Sequence, residues 1–344
     1  MLNDPNEPMS QLSAHLDRGW DLVARGDLAG ARLSAEKSLE LDEESPEAHN
    51  LAAYVLQAEG RPEEALEHYR QALDLDESYV DAMLNAADVL IHPLQDFDGA
   101  LTLIREALEW LGEDEIDERT DAMLLELDVH LHRGDREAAA QLVRQLPDGP
   151  FDNPALLLQV GRAHLDVGDV ERAEPLLDEA IEQGPPNADA HYYRALAYEI
   201  RGDAQGTLLS FLQARELDAT TPPPPWSLPP EQFERRVQSA LRQLSAPLSK
   251  ALEGALVVIT DQPGAEVVAD GLDPRMPVLL DAMSETSPPT VGRLFVYRRN
   301  VERVAVGLLE VEAEVVRALE TELGATLGEA HDSAGRAPSG DAEP

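Results

Sequence analysis

The sequence predicts a mostly α-helical chain: a stack of helical hairpins, then a small α+β domain. Three observations lead there. A turn glycine followed five residues later by a small side chain recurs along the first two thirds of the chain, with copies 34 residues apart. A proline-rich break, TTPPPPWSLPP, follows the last copy. Beyond it, helical periodicity gives way in places to short apolar runs rich in β-branched residues, the pattern of strands.

The repeat sets the architecture. Gly26, Gly60, Gly168 and Gly202 open the related stretches GDLAGARLSAEKSLELD, GRPEEALEHYRQALDLD, GDVERAEPLLDEAIEQGP and GDAQGTLLSFLQARELD. Their small residues are Ala31, Ala65, Ala173 and Thr207, with Ala139 and Ala100 in two further copies. Helices that cross closely need small side chains at the crossing. Gly19, Ala53, Gly161 and Ala195 fill that place in the first helix, and Ala72, Ala107, Ala180 and Ala214 fill it in the second. Between them stands a bulky apolar residue: Tyr69, Ile104, Leu177 or Phe211. The third copy departs, with Asp88 read at the small site and IHPLQDF in place of a tight turn, and the fourth has Leu146 for alanine.

This 34-residue helix–turn–helix period resembles the tetratricopeptide repeat family. Six copies are expected, at 12–45, 46–79, 80–114, 120–153, 154–187 and 188–221, after an N-terminal tail, 1–11. The resemblance implies a solenoid whose concave face binds an extended peptide or a helix of another protein. First-helix positions implied to line that groove are Trp20, Asn50, Tyr54, Asn85, Arg162, Tyr192 and Glu199. The clamp that grips chaperone tails is not expected, because the asparagines fall one position early and the lysines are missing. Nothing in the repeats suggests catalysis. His130 and His132, two apart, do not share a helix face, so shared metal binding is not expected.

Charge narrows the partner. The 344-residue chain carries a formal net charge of −40, which repels nucleic acid and anionic membrane surfaces and favours a basic or neutral protein partner. There are no cysteines, and hence no disulfides or thiolate metal sites. MLNDPNEPMSQL lacks the basic start and apolar run of a signal peptide, and no apolar stretch has membrane-spanning length. A cytoplasmic bacterial location is expected.

Segment 222–230 reads as a stiff proline-rich linker. After it come an amphipathic helix through EQFERRVQSALRQLSAPLSKAL, a strand ALVVIT, a loop, a strand RLFVYRR and a helix VEAEVVRALETELGATLG ending near Gly328. The polar residues 332–344 are expected to be disordered.

Three stretches of 231–331 resemble the small bacterial zincin-like metallopeptidase family: PPEQFERRVQSAL, DGLDPRMPVLLDA followed by GRLFVYRRNVER, and TELGATLG where that family places H-E-L-G-H-H-x-G. The resemblance puts Thr321 and Ala325 at the first two zinc-ligand positions, His331 at the third, Glu322 at the general-base position and Gly328 at the turn. Alanine cannot coordinate and a threonine hydroxyl is a poor zinc ligand, so no bound metal and no catalysis are expected. The implied whole is an adaptor carrying a metal-less pseudo-metallopeptidase domain. Two alternatives stand beside it: an active zinc peptidase whose repeats recruit substrate, and a structural assembly factor.

Overall fold

A computed structural model describes residues 7–284, 290–305 and 307–334. The chain divides into two compact units, Met1–Gly184 and Pro185–Pro344.

The first unit is five helical hairpins: α1 (Glu7–Ala24) with α2 (Leu28–Leu41), α3 (Pro46–Ala58) with α4 (Pro62–Leu75), α5 (Val80–Ile91) with α6 (Phe97–Trp110), α7 (Ile116–His132) with α8 (Arg136–Val143), and α9 (Pro154–Asp166) with α10 (Val170–Gln183). The turns follow from two adjacent residues. Gly26, Gly134 and Gly168 adopt left-handed φ of 74°, 73° and 81°, which a Cβ would penalise. The aspartate after each glycine then caps the next helix: Asp27, Asp135 and Asp169 accept from the backbone N–H of Gly30, Ala138 and Arg172. Pro46 and Pro154 open first helices, where a missing N–H costs nothing.

Packing follows the small-residue frame. Ala53, Ala65, Ala72, Ala100, Ala107 and Ala173 are fully buried, as are Tyr69, Ile104 and Leu177. A Cβ on Gly161 would lie 2.9 Å from Leu177 Cγ, so glycine lets the two helices of its hairpin meet. The third copy departs from the expected frame. The small residue of the third copy is Ala87, which is fully buried, and Asp88 beside it is not in the core. The extra residues of that hairpin are absorbed after Ile91, where Gln95 takes a positive φ of 54°. Leu146 in the fourth copy is buried in the same core as Leu156 and Val160. Successive first helices touch one another, α1 with α3, α3 with α5, α5 with α7 and α7 with α9, so they line one common face.

The second unit begins with a sixth hairpin, α11 (Ala188–Arg201) and α12 (Ala204–Thr220). Then come α13 (Pro230–Gln243), α14 (Ala246–Ala251), β1 (Leu256–Thr260), α15 (Ala265–Ala269), β2 (Val278–Met283), β3 (Val291–Tyr297), α16 (Arg298–Val304) and α17 (Val311–Ala334). The division between units thus falls one hairpin ahead of 222–230, and Leu228 in that proline-rich segment is buried with Phe233 and Val301. The sheet has the order β1-β3-β2, with β1 parallel and β2 antiparallel to β3.

The second unit also departs from expectation in detail. The helix after Pro230 breaks at Leu244 and restarts as α14, because Pro247 lacks the N–H that would continue the ladder. The loop expected between two strands contains α15 and β2. Helix α17 does not end near Gly328 but runs to Ala334. Residues 335–344 of the expected tail lie outside the described residues.

Candidate functional site

The common face of the first unit holds a concave pocket of about 550 Å³. Trp20 lies at α1, Asn50 at α3, Asp81, Leu84, Asn85 and Asp88 on α5, Asp121, Leu124, Leu125 and Asp128 on α7, and Gln159 on α9. Trp20, Asn50 and Asn85 therefore line one pocket. Tyr54 packs edge-on against Trp20, with ring centroids 5.2 Å apart. Arg162 lines an adjoining pocket with Asp128, Gln159 and Asp166, and lies 3.6 Å from the Asp166 carboxylate.

A hydrogen-bonded amide ladder floors the groove. Buried Asn50 donates through Nδ2 to Tyr79 Oη at 3.1 Å, and Asn85 Nδ2 donates to Asn50 Oδ1 at 3.1 Å. Burial pushes the Tyr79 hydroxyl up to about 12, so it keeps its proton. Further in, Gln57 Nε2 donates to Asp88 Oδ2, and Tyr69 donates to Gln57 Oε1 at 3.0 Å. These bonds fix side chains on neighbouring helices before any partner arrives.

The rim is acidic. Burial raises Asp128, the Asp88 charge raises it further, and His92, His132 and Arg162 oppose the rise. Burial, with Asp117 and Glu118, raises Asp121. Burial also raises Asp166 against the pull of Arg162. A cation in the groove would relieve these carboxylates. The four aspartates were not among the sequence-derived groove residues. Their signal was available: Asp81 and Asp88, like Asp121 and Asp128, stand seven apart on a first helix, hence on one face.

Tyr192 and Glu199 lie in the second unit. Glu199 is exposed on α11. Tyr192 is covered: its hydroxyl donates to Asp273 at 2.9 Å, and the Arg275 guanidinium stacks 4.4 Å from its ring centroid. Arg275 in turn pairs with Asp218 at 2.9 Å and Asp189 at 2.7 Å. Burial works against its charge, but the Asp218 bond and both carboxylates outweigh it and raise its pKa. Arg303 also binds Asp218, at 2.6 Å, and Arg299 donates to the carbonyls of Asp218 and Thr221.

Zinc does not fit the three α17 positions to which the sequence resemblance assigned its ligands. The Thr321 hydroxyl is already donated to the Arg317 carbonyl at 2.9 Å, and Ala325 offers no donor atom. With the helix unbroken, residue 331 lies about 15 Å along the axis from residue 321, too far to share an ion. Glu322 is exposed.

A stack of such hairpins with a polar concave face defines a helical-repeat protein. Residues 16–80 and 158–221 match a family model described as tetratricopeptide repeat, and residues 56–116 match a second model of the same description. These segments are tetratricopeptide repeats. Among solved structures, Pseudomonas aeruginosa pilF is 21% identical, with a TM-score of 0.50, over 62% of this chain and 95% of its own. A chain from the crystal structure of the APC/C hetero-tetramer Cut9-Hcn1 is 15% identical, with a TM-score of 0.50, over 64% of this chain and 42% of its own. PilW, a type IV pilus biogenesis factor, is 16% identical over 61% of this chain and 94% of its own, with a TM-score of 0.48. For pilF and Cut9-Hcn1, at these identities, the likeness is one of fold. No curated protein matches the sequence.

Proposed function

We propose that this chain is a protein-interaction scaffold that holds a basic or neutral segment of another protein in the groove of its first unit. The carrying observation is the groove itself: a preformed amide ladder and an aromatic end, ringed by Asp81, Asp88, Asp121 and Asp128. Polyanions are poor candidates for a chain of charge −40, and among the described residues no helix is long and apolar enough to cross a membrane. The test is capture by the full-length chain, with and without the four changes Asp81→Asn, Asp88→Asn, Asp121→Asn and Asp128→Asn. A partner held by the parent and lost by the variant supports the groove. Equal retention contradicts it.

The region 231–331 is read as a zincin-related domain without its metal, docking a segment it does not cut. Support comes from the order in which the three resembling stretches fall: on α13, on the run from α15 to α16 that includes β2 and β3, and on α17. Positions 321 and 325 are one turn apart on α17, on the same face and about 6 Å from each other. Thr321→His with Ala325→His should therefore gain zinc affinity that neither single change gives, read by calorimetry. A double variant that binds zinc no better than the parent removes the relationship at this helix.

A further inference from the structure

The arrangement of the groove carboxylates specifies more than a positive partner. Asp81 and Asp88 lie two turns apart on α5, and Asp121 and Asp128 lie two turns apart on α7, the neighbouring first helix. Each pair is spaced by about 10 Å along its axis. Asp88 and Asp128 form one level of the groove, both facing His92, while Asp81 and Asp121, each seven residues earlier on its helix, line the same pocket two turns away.

The first level already recognises a ring nitrogen of the chain. His92 Nε2 lies 3.2 Å from Asp88 Oδ1 and 3.9 Å from Asp128 Oδ2, so one ring nitrogen sits between the two carboxylates. The imidazole is nearly half exposed, at 45%, and can yield its place. A guanidinium, with a fork of donors, fits the same gap better than a single imidazole nitrogen.

The amide ladder indicates the conformation of the partner. Asn85 gives one N–H to Asn50, and its carbonyl oxygen and second N–H make no further bond among the described residues. A helical partner has no backbone groups left over for such an amide. An extended one has all of them free. In a polyproline II helix, residues three apart share a face and lie about 9 Å from each other, close to the separation of the two levels.

We infer that the groove takes an extended segment of the type Arg-x-x-Arg, with one guanidinium between Asp88 and Asp128 and the other between Asp81 and Asp121. The inference rests on the groove being the partner surface, and its test separates the two ideas. The probes are the labelled octapeptides PPRPPRPP and PPPRRPPP, equal in composition and charge, titrated into the full-length chain at low salt. The spaced peptide should bind at least tenfold more tightly than the adjacent one. Asp88→Asn with Asp128→Asn should abolish that difference while leaving the thermal midpoint no lower than the parent's. If both peptides bind equally and the double variant weakens both alike, the groove stands and the spacing is wrong. If the double variant changes neither, or neither peptide binds, the inference fails, and the groove is then judged by the capture experiment alone.

Discussion

Each unit is held together internally, and by a different kind of contact. In the first, most ion pairs are local and exposed: Arg25 with Asp21, Arg61 with Glu64, Arg162 with Asp166. Such pairs contribute little, and stability comes from each hairpin burying its small-residue seam against the next. In the second, the central pair is distant in sequence and desolvated: Arg275 and Asp218 are 57 residues apart and each side chain is 9% exposed. The first unit should therefore respond to damage locally, and the second as a whole.

The sharpest way to break that contrast is Arg275→Ala. It removes one of the two arginines paired with buried Asp218, leaving Arg303, and uncovers Tyr192, at an expected cost of about 3 kcal/mol, the low end for a broken buried pair because one guanidinium still faces the carboxylate. Hydrogen exchange should speed up together in α11, α12 and the three strands. Protection lost only beside residue 275 would show that the second unit is as local as the first.

Leu177→Ala is the counterpart in the first unit. Leu177 is fully buried against Gly161, and the cavity should cost about 2–5 kcal/mol. Exchange should rise in α9 and α10 and fade toward α1. Uniform loss across the unit would contradict a nearest-neighbour stack. A smaller effect is expected from Asp169→Ala, which removes the cap on α10 and should cost about 1 kcal/mol in chemical denaturation.

The smallest effect has the opposite sign. The Asp121 carboxyl is raised in the fold, so its charged form is disfavoured there. Its stabilising contribution is full below the unfolded value and is lost as pH rises through the folded value. At neutral pH Asp121→Asn should therefore stabilise the chain slightly, by under about 1 kcal/mol after solvent screening. The gain should vanish in mild acid. A destabilised variant at neutral pH would show that the carboxylate supports the fold rather than the groove.

Legibility in the sequence followed the same divide. A glycine and the aspartate after it announce a turn and a cap, and alanines 34 apart announce the crossings, because all of this is decided within one repeat. Asp88 was misplaced for a local reason: the residues added after Ile91 shift the frame by one, which hid Ala87. The second unit withheld more. Nothing periodic links Arg275 to Asp218 or Asp189, and Tyr192 reads as a groove residue until its cover is seen. β2 was invisible because VLLDAM follows two prolines and lacks clean alternation. The unbroken course of α17 past Gly328 was equally hidden, since a glycine there permits a turn without requiring one. Of the candidate groove, the aromatic and amide residues were readable from the repeat frame. The carboxylates that give it a sign do not recur with the 34-residue period, and only their seven-residue spacing within each helix marks them.

The central claim is that an acidic concave face in the first unit holds the partner. Hydrogen exchange on the full-length chain, alone and with the peptide PPRPPRPP, tests it directly. The account predicts slowed exchange on α3, α5 and α7, fading as salt shortens the screening length below about 5 Å. Slowed exchange confined to α13–α17, or protection indifferent to salt, would contradict it.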